Sequence, residues 1–172
     1  TGHLVFSTVH TNDSAGAVTR LVDMGIEPFL VASSLTAVLA QRLVRRICPD
    51  CRQSYVPSEE ELGKLGMTRE RFRAIGGERV FRASGSTTTP DGKQVPCVSC
   101  NRNGYKGRTG IYEFLLVDDD IRQLVLKNVD SNTIKKRAMD KGMLTLLDDG
   151  ARKVAMGETS IAEVLSVTQE DI

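Results

Sequence analysis

Apolar residues come in short runs along this chain, and the period of the runs changes from one stretch to the next. Leu4 to Val9 (LVFSTV) is apolar or β-prone throughout, which predicts one buried strand. A polar turn, His10-Thr11-Asn12-Asp13, follows it. Val18, Leu21 and Val22 then recur at i, i+3 and i+4, so a helix is predicted, with Asn12 or Asp13 as its cap and Gly25 as its stop. In open α/β sheets a ligand sits beyond the carboxyl ends of the strands, and His10, Thr11 and Asn12 would face that place. The alternative is a connection whose polar residues only cap the helix.

Further along, Pro28 suits the first position of a second helix, and Phe29 to Leu39 is apolar nearly all round, predicting burial on several sides. Leu43, Val44 and Ile47 favour a strand towards the end of the stretch 37–47. Ser58 to Glu61 reads as a capping box for a short helix to Leu65, and Thr68 starts another that stops at Gly76-Gly77. Ala83 to Pro96 is small, polar and turn-rich, and reads as a mobile loop. Ile111 to Val117 reads as a strand. Helices follow it from Asp118, from Ser131 to Gly142, from the capping box Thr145–Asp148 to Gly157, and from the capping box Ser160–Glu163. The last third is therefore expected to be a bundle of three or four short helices.

Composition narrows the function. The chain has 172 residues, 40% hydrophobic and 26% charged, with a formal net charge of +1. No broad attraction to nucleic acid or anionic lipid follows from that balance. There is no Trp and only 5% aromatic residues, so base-stacking platforms are not expected and neither is a nucleic-acid partner. The longest apolar run is broken by Ser33, Ser34 and Thr36, so no direct membrane insertion is expected. Arg42, Arg45, Arg46 and Arg52 form a local basic cluster, readable as a solvated face or as a contact for a phosphate or a partner. The chain opens TGHLVF, without a Met, and reads as a piece of a longer protein.

All four cysteines fall in two C-x-x-C pairs, Cys48/Cys51 and Cys97/Cys100. Two intervening residues let both sulfurs of a pair reach one ion from a single knuckle turn, and two knuckles complete a closed tetrahedral thiolate site for structural zinc. The alternatives are disulfides or buried thiols, and nothing in the sequence argues for the oxidising compartment that disulfides need. The pairs are separated by 45 residues, longer than in a compact zinc ribbon. The extra loop entropy is roughly 0.8 kcal/mol. A structural zinc site supplies roughly 10–16 kcal/mol, so the loop does not exclude it. His3 and His10 sit at opposite ends of the predicted strand, roughly 23 Å apart if extended, so they do not form a second metal site.

These residues resemble a known family. Thr1-Gly2-His3-Leu4-Val5 with Ser7-Thr8-Val9-His10-Thr11-Asn12-Asp13 resembles the His box of secretion and pilus ATPases, the RecA-like hexameric motors of type II and type IV systems. Further matches are Thr19 to Gly25, Ala40 to Leu43, the paired knuckles, Gly107-Arg108-Thr109-Gly110-Ile111-Tyr112-Glu113, and Asp149-Gly150 with Lys153 and Gly157-Glu158-Thr159. The resemblance covers nearly the whole chain except about Ser58 to Val95, and it leans to the type II secretion branch, with the pilus-assembly branch as the alternative. It implies an α/β fold in which residues 1–47 are the second half of a RecA-like P-loop NTPase core. Residues 48–105 would be a tetracysteine zinc subdomain with a long loop, and residues 106–172 a core-edge strand and a C-terminal helical subdomain.

The resemblance further implies that His10 lies near the γ-phosphate, that His3 is the other histidine of the box, and that Thr11 and Asn12 support the nucleotide corner. Cys48, Cys51, Cys97 and Cys100 would hold structural Zn2+, with ATP and Mg2+ used by the full-length protein. The implied setting is a homo-hexamer, cytoplasmic and peripheral to the bacterial inner membrane, working with inner-membrane secretion platform proteins. No G-x-x-x-x-G-K-[ST] phosphate loop occurs in the 172 residues, so this stretch alone is expected not to hydrolyse ATP. Two rivals stand beside this reading: a zinc module that binds nucleic acid or a protein, and a structural adaptor with an inert histidine corner.

Overall fold

A computed structural model describes residues 2–168; Thr1, the first residue of the His-box match, lies outside them. In chain order the elements are α1 (Ser14–Asp23), α2 (Pro28–Ser34), β1 (Ala37–Ile47), β2 (Gln53–Tyr55), α3 (Glu59–Lys64), α4 (Arg69–Ala74) and β3 (Val80–Arg82). They continue with β4 (Ser86–Thr88), β5 (Gln94–Pro96), β6 (Tyr105–Leu116), α5 (Asp119–Leu126), α6 (Ser131–Asp140), α7 (Leu146–Ala155) and α8 (Ile161–Thr168). Strands pair as β1 with β6, β2 with β3, and β4 with β5, the last two antiparallel. The chain forms two compact units, each built from two separate stretches: Thr1–Ala40 with Glu113–Leu144, and Gln41–Tyr112 with Thr145–Ile172.

The first unit has a core of α1, α2, α5 and α6 packed on the ends of β1 and β6. Val18, Val31, Leu115, Val117, Ile121, Val125 and Ile134 are among its buried residues, with Leu21, Val22 and Val38 against them. Side chains begin its helices. Gly16 N–H donates to Asp13 Oδ1 at 2.8 Å, Ile121 N–H to Asp118 Oδ1 at 3.1 Å, and Thr133 N–H to Asp130 Oδ1 at 3.1 Å. Each oxygen satisfies a backbone donor that the first helical turn leaves unpaired. Of the two expected caps for α1, Asp13 is the one used.

The second unit buries Leu62, Leu65, Met67, Phe72 and Val80 against Ala151, Val154, Ile161 and Val164 of α7 and α8. Its capping boxes at Ser58–Glu61 and Thr145–Asp148 form as expected. Tyr55 donates to Glu61 Oε1 at 2.8 Å, and burial together with that carboxylate pushes the Tyr55 phenol up to about 12. The box at Ser160 is only half made. Ser160 Oγ accepts the Glu163 N–H at 3.2 Å, but the Glu163 carboxylate turns to Arg45 instead of back to the cap.

Four sequence expectations are corrected here. Leu4–Val9 is not a strand: it joins no sheet among the described residues, and Leu4, Val5 and Phe6 are 73%, 78% and 89% exposed. A strand exists only with a paired neighbour, and none of the described strands runs beside it. Phe29–Leu39 is not one buried segment. The helix ends at Ser34, Phe29 and Leu30 are exposed, and the Thr36 carbonyl accepts the Val117 N–H at 3.0 Å, where the β1–β6 pairing takes over. Within Ala83–Pro96 the chain forms the hairpin β4–β5, pairing Thr87 with Val95 around Pro90-Asp91-Gly92. Finally, the last four helices are not one bundle: α5 and α6 belong to the first unit, α7 and α8 to the second.

The arginine cluster is partly structural. Arg45 Nη2 stands 2.7 Å from Glu163 Oε2, and its guanidinium lies 4.2 Å from the Tyr105 ring centroid. Arg52 stacks on Phe81 at 4.1 Å, while Arg46 is exposed. Burial alone would raise the Glu163 carboxyl, but the hydrogen bonds and charge of Arg45 win and hold it below its ordinary value. A depressed carboxyl contributes stability above its unfolded pKa and loses it as pH falls through the folded value. Arg45→Met is therefore expected to cost about 2 kcal/mol at pH 7, since Arg45 is half exposed while Glu163 is buried. The difference should shrink to what the Tyr105 contact contributes as chemical denaturation is repeated down through the folded pKa of Glu163. A cost that is the same at every pH would contradict the ion-pair assignment.

Candidate functional site

The four cysteines come together in the second unit. Cys48 and Cys51 lie on the turn between β1 and β2, and Cys97 and Cys100 on the turn between β5 and β6. All four are buried, and their Sγ atoms lie within 4.8 Å of one another. The separations Cys48–Cys97 and Cys51–Cys100 are 3.9 and 3.7 Å. Sulfurs about 2.3 Å from a central zinc at tetrahedral corners stand about 3.8 Å apart, whereas a disulfide needs about 2.0 Å. The donor set thus fits zinc, and its four thiolates leave no open position for a substrate.

Backbone bonds hold the two knuckles in register. Cys48 N–H donates to Gly104 O at 2.9 Å, Cys97 N–H to Gly85 O at 2.9 Å, and Gly104 N–H to Cys100 Sγ at 3.2 Å. The second knuckle closes through Asn101 and Arg102 in the left-handed region, at φ 49° and 66°. Gly85 has φ 76°, and a Cβ there would stand 2.3 Å from Arg102 O, so only glycine fits beneath this turn. Burial pushes the Cys51 thiol up to about 12. At Cys100 burial acts in the same direction, but the Gly104 N–H and the neighbouring thiols overcome it and bring the thiol down to about 7.

The histidine corner belongs to the first unit and lies just before α1. His3 and His10 are both exposed, as is Asn12, and Thr11 is half-buried with its Oγ donating to Asp13 O at 3.0 Å. Two donors at the start of α1 are already used: Ser14 N–H goes to Glu113 Oε1 at 2.9 Å and Gly16 N–H to Asp13. With two carboxylates there, the helix terminus is not itself an anion cradle. Glu113 of β6 and Lys135 of α6, to which the sequence alone assigns no role, bond Ser14 and Asp13 beside this corner. A signal was present: Glu113 is a carboxylate in phase with the buried Ile111 and Leu115.

Residues 1–166 match the family model described as type II/IV secretion system protein. The chain belongs to that family. Within it, the chain is 46% identical over 170 residues to the type II secretion system ATPase E of Vibrio cholerae, covering 99% of this chain and 30% of that protein. It is 44% identical to the type II secretion system protein E of Pseudomonas aeruginosa, covering 99% of this chain and 31% of that protein. It is 43% identical to the type IV pilus assembly ATPase PilB of Thermus thermophilus, covering 99% of this chain and 18% of that protein. The chain therefore spans less than a third of the length of these relatives. The residues matched by the family model include Ser58–Val95, which the sequence resemblance does not cover. No helix of the described residues is long and apolar enough to cross a membrane.

Proposed function

We propose that this chain is the C-terminal part of an ATPase that powers type II protein secretion by assembling a pseudopilus. The observation that carries the reading is 46% identity, over 99% of the chain, to a type II secretion ATPase. The 43% identity to a pilus assembly ATPase keeps that system as the second reading. In this proposal residues 1–47 complete a RecA-like core. Residues 48–105 form a zinc subdomain on Cys48, Cys51, Cys97 and Cys100, where the ion fixes two knuckles and takes no part in chemistry. Residues 106–172 supply the core-edge strand and the C-terminal helices. The complete protein acts as a homo-hexamer with ATP and Mg2+, at the cytoplasmic face of the inner membrane, against secretion platform proteins.

His10 would stand by the γ-phosphate and donate to the charge that builds there during transfer; Thr11 and Asn12 shape the corner, and His3 lies at the far end of the same segment. His10→Ala in the complete protein is expected to lower ATP turnover about 100-fold while the melting temperature stays unchanged, because the side chain is exposed. Turnover equal to the parent would remove the nucleotide role of this corner. The 172 residues by themselves are expected to show no turnover above buffer, since they carry no phosphate loop. Hydrolysis by them that exceeds a His10→Ala control would overturn that expectation.

A further inference from the structure

Glu113 is 1% exposed on a strand position that, by its phase with Ile111 and Leu115, could hold an aliphatic side chain. Burying a carboxylate there costs free energy unless its oxygens are bonded, so the position is occupied for what those bonds do. Glu113 Oε1 accepts the Ser14 N–H at 2.9 Å and the Ser14 Oγ–H at 2.5 Å. Lys135 Nζ of α6 stands 3.8 Å from Glu113 Oε2 and donates to Asp13 Oδ2 at 2.7 Å. Asp13 uses its other oxygen to cap α1, and its carbonyl accepts from Thr11 Oγ at 3.0 Å. Two acids thus share one lysine around Asp13-Ser14, and the groups that hold this point come from residues about a hundred positions away. His10 is three residues upstream, within about 10 Å of extended chain.

We propose that Glu113 and Lys135 are positioning residues that hold the His10–Asn12 corner in place for nucleotide turnover. The inference rests on the nucleotide reading of that corner given above. A clamp of this kind acts on orientation: without it substrate still binds, but the corner spends less time where the reacting phosphate needs it, and misplacement by about 1 Å can cost up to about 100-fold. The rate of the bound complex falls while the affinity holds.

The test uses the complete protein and measures kcat, KM for ATP and thermal melting for the parent, His10→Ala, Glu113→Gln, Lys135→Met and Lys135→Arg. Glu113→Gln and Lys135→Met are each expected to lower kcat about tenfold with KM changed by less than about twofold, at a temperature where both are folded. Lys135→Arg should recover most of kcat, and the Glu113→Gln/Lys135→Met pair should lose little more than the worse single change, as members of one network do. If Glu113→Gln does not fold, Lys135→Met decides, because that side chain is 30% exposed. Parent-like kcat in the folded clamp variants, with turnover lost in His10→Ala, overturns the clamp alone. Parent-like turnover in His10→Ala overturns the nucleotide reading and the clamp with it.

Discussion

Replacing Cys97 and Cys100 together by serine is expected to reduce bound zinc from about one ion per chain to none and to lower the melting midpoint of the second unit by about 10–20 °C. The metal loss follows from geometry. Two thiolates from one knuckle cannot fill a tetrahedral site, and the serine hydroxyls left behind are poor zinc ligands. The size of the melting shift follows from where the cysteines sit. In zinc peptides with no other core, the ion supplies roughly 10–16 kcal/mol, as much as the whole stability of a domain. Here the cysteines form a cluster separate from the apolar core of Leu62, Phe72, Val154 and Val164, which persists without them. The unit should therefore melt lower and still melt cooperatively. Atomic emission on the purified chain gives the metal count, and calorimetry gives the midpoint. Full zinc content in the double variant would refute the four-sulfur site, and an unchanged midpoint would show that the ion holds nothing that limits unfolding.

What the sequence disclosed, and what it hid, follows from the range of the interactions. Caps were legible because a cap oxygen and its N–H lie three residues apart, as at Asp13, Ser58, Thr68 and Thr145. The cysteine ligands were legible for the same reason, since each knuckle is a local turn. What brings the knuckles together was not, because the bond from Cys48 to Gly104 joins distant parts of the chain. The apolar character of Leu4–Val9 predicts burial, yet burial belongs to a segment and its neighbours together. The hairpin β4–β5 was hidden by a turn-rich composition, although the β-prone Thr87 and Thr88 flank its turn on one side and Val95 stands opposite them on the other. Glu163 shows a local rule overridden: its sequence position makes half a capping box, and Arg45, 118 residues away, takes its carboxylate.

Phe72→Ala is expected to destabilise the second unit by about 3–5 kcal/mol, a large part of what a domain of about a hundred residues has to lose. The ring is 1% exposed on the short helix α4, and a Cβ at Gly77 would stand 2.4 Å from its Cε1, so the chain closes directly over it. This position lies inside Ser58–Val95, where the family resemblance was not legible. Two six-residue helices with a turn between them split the stripe Leu62, Leu65, Met67 and Phe72 into pieces too short to show a helical period. In the structure that stretch supplies half of a core, the other half being α7 and α8. At about 4–8 °C per kcal/mol the melting midpoint should fall by at least about 12 °C, while zinc content stays at about one per chain below the transition, since the ring and the cysteines lie in separate clusters. The zinc measurement makes the two variants diagnostic of each other: the cysteine change removes metal and leaves the apolar core, and the phenylalanine change does the reverse. A midpoint within about 3 °C of the parent would mean that α4 does not brace α7 and α8.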